Sequence, residues 1–136
     1  MLNEQLAIRV IENLGRMKDI NILKSDAIGT NSAATTEGVT IPDGGYVKQV
    51  AIANLGTVAI TSADIDVGDG NSADRFIDGL TDLAVGDIVV APVPAADVAS
   101  DEVAGHYYSS SDTIDIKVNA TCPGELTLLA WYTKID

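Results

Sequence analysis

Side chains capable of chemistry crowd together most densely in residues 63–80, ADIDVGDGNSADRFIDGL, which hold five aspartates, three glycines and one arginine. Carboxylates at this density suit calcium, acid or base catalysis, or tight turns. An EF-hand loop needs oxygen ligands at positions one, three and five and glycine at six. Counting from Asp64 gives Asp64, Asp66 and then Gly68, and counting from Asp69 gives Asp69, Asn71 and then Ala73, so both frames fail. An irregular calcium site from Asp66, Asp69, Asn71 and Asp74 stays open, because calcium accepts carboxylate and amide oxygens in flexible geometry. The preferred reading is turn chemistry: a strand ending at Val67, a GDGN turn, and a short element from Ser72 or Ala73.

The other reactive side chains are few. The single histidine, His106, stands in GHYYSSSD with serines and Asp112 nearby, but no nucleophile elbow frames a Ser-His-Asp triad. One histidine and one cysteine fall short of a zinc set. Cys122 has no partner for an internal disulfide and reads as a small buried apolar residue. IPDGGY lacks the Lys-Ser/Thr of a phosphate-binding loop and the helix that follows one, so it reads as a turn cornered on Asp43 and Gly44 or Gly45. The expectation is a protein that is no enzyme, with no cofactor and no resident metal.

Elements that would position these residues follow from pattern. At 136 residues the chain suits one core, and with 46% hydrophobic but 4% aromatic residues that core must be aliphatic. Residues 3–18 place Leu6, Val10, Ile11, Leu14 and Met17 three and four apart, the stripe of an amphipathic helix capped by Asn3 and ending near Arg16 and Lys18. Residues 25–38 are small and polar and read as a linker. Strands are expected in YVKQVAIAN, TVAITSADIDV, GDIVVAPV, TIDIKVNA and ELTLLAWYTKI. In TIDIKVNA, Ile114, Ile116, Val118 and Ala120 should point inward; ELTLLAWYTKI is apolar on both faces and should be central or covered. The division expected is a helical arm over 1–24, a linker over 25–38 and a β domain over 39–136, an antiparallel sandwich or barrel.

Charge is uneven along that plan. The net charge is −12; residues 1–25 hold four basic and three acidic side chains, and the remainder four basic and seventeen acidic. A body of net −13 repels polyphosphate, so no direct nucleic-acid partner is expected. No apolar run reaches the roughly 20 residues of a bilayer span, and Glu4, Arg9 and Glu12 interrupt any signal-peptide core. A soluble protein made in a cytoplasm, with no membrane partner, is the expectation.

Two stretches, ADIDVGDGNSADRFIDGLTDL and GHYYSSSDTIDIKVNATCPGELTLLAWYTKI, carry a family cadence: an aromatic pair, an alternating strand and a final apolar strand. In these the chain resembles small virion structural proteins of tailed bacteriophages, especially capsid decoration, or cement, proteins. The resemblance covers roughly the last half of the chain. It implies a jelly-roll-like antiparallel β-sandwich that forms a homotrimer on the exterior of an icosahedral head assembled in the host cytoplasm, bridging subunits of the major capsid protein. It implies no catalytic residue. Within it, the capsid-docking surface is the stripe Leu6, Val10, Ile11, Leu14 and Met17 with Leu2, rimmed by Arg9, Arg16 and Lys18; the same helix could instead close the end of its own sandwich. Tyr107, Tyr108, Trp131 and Tyr132 are the candidates for contacts between subunits, or else fill the core. A fibre or receptor-binding module, using the loops of APVPAADVASDEVAGHYYSSS, is the alternative, and a small calcium-dependent or hydrolytic enzyme the third reading.

Overall fold

Alternating apolar and polar residues can bury one face only if a second apolar face covers it. The chain meets this requirement with two β layers. A computed structural model of the protein describes residues 20–93 and 102–135. Its strands are β1 (Ile20–Lys24), β2 (Ile28–Gly29), β3 (Thr35–Ile41), β4 (Gly45–Ala53), β5 (Asp64–Asp69), β6 (Ile77–Leu80), β7 (Ile88–Val90), β8 (His106–Tyr108), β9 (Asp112–Ala120) and β10 (Glu125–Lys134). No helix occurs among the described residues.

One sheet has six strands in the order β1-β10-β4-β7, with β2 also on β10 and β8 also on β4; the other runs β3-β9-β5-β6. Because β1 and β2 share one edge of β10, and β7 and β8 share one edge of β4, the six-stranded sheet is effectively four strand positions wide. All named strand pairs are antiparallel. From β2 onward the chain passes repeatedly from layer to layer, so most sequence neighbours are not sheet neighbours. The turn between β3 and β4 is one such crossing. There Gly44 takes φ +77°, a left-handed conformation in which a side chain is strained, and Gly45 N donates to the Pro42 carbonyl.

The core lies between the layers. Val47, Val50, Ile52, Leu126, Leu128 and Ala130 face it from one sheet, and Val39, Ile41, Ile65, Val67, Ile114 and Ile116 from the other. Phe76, the only phenylalanine, is fully buried among these aliphatic side chains. The aliphatic core and the central position of β10 match what composition and pattern imply. Cys122 is buried, with the Thr30 hydroxyl donating to its carbonyl at 2.8 Å.

Several expectations need correction. The β body begins at Ile20 rather than Val39, since β1 pairs with β10 over five positions from Ile20↔Thr133 to Lys24↔Leu129. The stretch read as a linker, 25–38, holds buried Ser25, Ile28 and Thr30, the whole of β2 and the start of β3. Ser25 continues the ladder: its amide donates to Leu128 O, and its Oγ accepts from Leu128 N, both at 2.9 Å. Short polar residues concealed this because strand pairing uses backbone groups, which composition does not report. TVAITSADIDV is a strand only from Asp64. Ser62 has φ 53°, and Ile60 joins Leu83 by a lone bridge, while Asn54 Nδ2 donates to the carbonyls of Val58 and Leu83 to hold the loop. The same strand runs past Val67 to Asp69, and Ala120 is exposed rather than inward. The helix expected over 3–18 lies outside the described residues.

Truncating Phe76 to alanine should cost about 3–5 kcal/mol, the range for an aromatic removed from a packed core. Denaturant titration of the variant beside the wild type measures it.

Candidate functional site

The densest polar constellation is built where β5 ends. Alternation along β5 sends Ile65 and Val67 into the core, and two residues on it sends in Asp69, paired across the sheet with Ile114. An ionised carboxylate there needs partners, and it has five donors. Arg75 Nε donates to Oδ2 at 2.6 Å and Nη2 to Oδ1 at 3.5 Å; the Tyr108 hydroxyl donates to Oδ2 at 2.6 Å; the amides of Asn71 and Ser72 donate to Oδ1 at 2.9 Å. Gly68 permits the tight chain reversal that brings those amides round, since a Cβ there would collide with the Ser72 carbonyl oxygen. Tyr108 projects from β8 of the other sheet, so this carboxylate joins the two layers.

These contacts set the protonation states. Burial would raise the Asp69 pKa, but the bonds from Arg75, Tyr108, Ser72 and Asn71 together bring it below its ordinary value of 3.8. Burial, and then the charged form of Asp69 on its oxygen, push the Tyr108 phenol up. His106 Nδ1 faces Arg75 Nη1 at 3.4 Å, and its ring meets Tyr108 edge-on with centroids 4.8 Å apart. Its pKa is lowered by burial and by the Arg75 charge, against opposing pulls from Asp69 and Asp112.

An open recess of about 220 Å³ lies beside this cluster, lined by Asn71, His106 and the turn from Tyr107 to Asp112. The residues that could have made a triad are engaged elsewhere. His106 meets Arg75 and Tyr108, Ser111 Oγ donates to Ile41 O at 3.0 Å, and Asp112 Oδ1 accepts from the Thr113 amide at 2.7 Å. The chemistry this supports is structural: charge neutralisation and closure of a turn.

The four side chains offered by sequence as a calcium set are not brought together as ligands. Asp69 is saturated by its own donors; Asp66 accepts from Gly79 N at 2.9 Å and Asn119 Nδ2 at 2.8 Å; Asp74 accepts from Ser72 Oγ at 3.2 Å. Among the described residues the carboxylates that converge are instead Asp74, Asp78 and Glu102, with oxygens within 4.8 Å of one another. Burial and then the charges of Asp66, Asp74 and Glu102 raise the Asp78 pKa, a repulsive arrangement rather than a built cage.

Surface character separates the two sheets more sharply than any pocket does. Besides the buried Asp69, the strands of the four-stranded sheet carry Glu37, Asp64, Asp66, Asp78, Asp112 and Asp115 with Lys117, whereas those of the six-stranded sheet carry only Glu125, at one end of β10, together with Lys24, Lys48 and Lys134. The outward side of the six-stranded sheet is apolar, with Ile22, Ile88 and Val90 exposed. The four aromatics offered as subunit contacts are divided by it. Tyr107 is 45% exposed on this outward side and Trp131 is half-buried there by register, while Tyr132 packs on the core and Tyr108 is buried in it. The docking set Leu2, Leu6, Arg9, Val10, Ile11, Leu14, Arg16, Met17 and Lys18 lies outside the described residues. Sequence reasoning had no means to pair Asp69 with Tyr108, 39 residues away; the only local signal was an inward parity position occupied by aspartate.

No family model matches the chain and no curated protein matches it. Solved structures do. A chain of the acidic stable capsid structure of Helicobacter pylori bacteriophage KHP30 superposes with a TM-score of 0.64 at 16% identity, over 84% of this chain and 86% of that one. A chain of the cyanophage Pam1 capsid asymmetric unit gives 0.59 at 16% identity over 86% of each, and one of the capsid of Ralstonia phage GP4 gives 0.57 at 14% over 87% and 86%. At such identities the likeness is one of fold.

Replacing Asp69 by asparagine strands the Arg75 guanidinium and should cost about 3–5 kcal/mol near neutral pH, as breaking a buried ion pair does. The depressed Asp69 pKa contributes stability that is present above 3.8 and lost as pH falls through the lower folded value. The gap between wild type and variant should therefore close in acid, as urea titrations at stepped pH would record.

Proposed function

We propose that this protein is a structural component of a phage virion: a capsid decoration, or cement, protein with a jelly-roll-like sandwich, which assembles as a homotrimer on the outside of an icosahedral head and bridges coat subunits. The observation that carries this reading is the fold likeness to chains of three phage capsid structures, which spans more than four-fifths of both partners in each case. The resemblance of the second half of the sequence to decoration proteins points the same way from independent information.

The physical design suits that role. A decoration protein must present one face to solvent and another to neighbours, and here the sheets differ in that sense: one is rich in carboxylates, the other nearly free of them. Acidic solvent-facing surface favours solubility and discourages random association. Docking on the shell is assigned to the N-terminal segment, where Arg9, Arg16 and Lys18 supply positive charge, in contrast to the net-negative body, that coat carboxylates would pair with. Around a three-fold axis each subunit contact is head-to-tail, so Tyr107 on one copy would meet a different surface of the next.

Light scattering of the full chain across a range of concentrations should give a mass three times 14.1 kDa. The trimer should bind assembled heads saturably and raise the temperature at which they open. A monomer at every concentration, or heads whose thermal opening ignores the protein, would overturn the reading.

A further inference from the structure

The outward side of the six-stranded sheet poses a packing question. Strand register places Ala51, Ala53 and Thr127 on that side, opposite the alternating Val50, Ile52 and Leu128 that enter the core. They are nonetheless buried, at 0%, 4% and 5% exposure, although the alanines are not part of the core cluster between the layers. The second sheet lies on the far side and cannot cover them. Around them the side chains near the sheet edges are open, with Ile22 64%, Ile88 52% and Val90 48% exposed. A face covered at its centre and open at its edges has the form expected beneath one narrow, elongated element.

We infer that the cover is the chain's own N-terminal segment, with residues 3–18 lying as an amphipathic helix across this face and Leu6, Val10, Ile11, Leu14 and Met17 turned onto it. Three observations select this occupant. First, the segment ends at the right place: β1 starts at Ile20, opposite Thr133, at a corner of this sheet. Second, its length fits. Sixteen helical residues span about 24 Å at 1.5 Å per residue, within the roughly 30 Å run of the two central strands, β4 and β10, at about 3.3 Å per residue, so the helix can lie along them and leave the edge strands open. Third, the chemistry matches, because an apolar stripe needs a face poor in carboxylates, and on this acidic chain the strands of this sheet carry only Glu125, at one end of β10. Ala51 between Leu129 and Val90, and Ala53 between Thr127 and Ile88, form a shallow trough that admits a helix closely.

At 100° per residue Arg9 and Arg16 fall beside the stripe rather than within it. They stay on the outer side of the packed helix, free to meet a coat surface, while the apolar residues are spent inside the molecule. The inference concerns the free protein and stands whether or not the chain decorates a head.

Trp131, the only tryptophan, lies on this face by register, opposite Ile22, and reports on its cover. In the full-length protein the double substitution Leu6→Asp with Val10→Asp should shift its emission to the red and raise its quenching by acrylamide. That change should be the same at all concentrations and leave the mass from light scattering unchanged. Gln5→Asp with Ile8→Asp, an equal added charge on the side of the helix turned away from the stripe, should leave the emission as in wild type. From the sheet side, Ala51→Leu, which would fill the covered centre of the face, should lower amide-exchange protection over residues 6–17 without altering the β-strand amides. Emission unmoved by the double substitution, or protection unmoved by Ala51→Leu, would overturn the inference. So would a wild-type emission that shifts on dilution together with the mass, which would make a second copy the cover.

Discussion

A single buried carboxylate sets the terms for one whole end of this molecule. Asp69 points inward because β-strand parity gives it no choice: it is two residues from Val67, which is two from Ile65, and both are fully buried. Burying that charge is unfavourable unless every lone pair is engaged, and the surroundings are organised to do so. The turn after β5 curls back to offer two amides, Arg75 folds over to neutralise the charge, and Tyr108 reaches from the opposite layer. The position of His106 follows from Tyr108 and Arg75, and the recess beside it follows from the same turn. What resembles a catalytic cluster in composition is thus a clamp between two sheets.

The clamp matters because the topology offers little local support. With successive strands passing between layers, neither sheet is a simple meander, and each depends on the other for its neighbours. Aliphatic packing between the layers supplies the non-directional part of that association. The hydrogen bond from Tyr108 to Asp69 is directional, and it fixes where β8 sits against the end of β5.

The two layers also divide the surface. Carboxylates concentrate on the four-stranded sheet, and repulsion among them is already visible in the raised pKa of Asp78 and, after burial, of Asp115 beside Asp112 and Glu37. The six-stranded sheet carries apolar and a few basic residues instead.

Much of this was legible in the sequence where local pattern and tertiary environment agree. TIDIKVNA alternates strictly, so its buried Ile114, Ile116 and Val118 could be named in advance, and ELTLLAWYTKI, apolar on both faces, had to be central or covered. The absence of helical period after residue 38 settled the all-β body. Three things depended on tertiary structure. β1 and the ordered course of 25–38 exist because β10 offers them backbone partners, and backbone pairing leaves no trace in side-chain composition. Asp69 became a clamp rather than a ligand because Tyr108 and Arg75 arrive from distant positions, and the sequence showed only that it was one of twenty acids. The separation of an acidic from an apolar face arose the same way. Each strand had its own pattern, but which strands share a sheet is decided by crossovers between layers, and only that choice adds separate patterns into a surface.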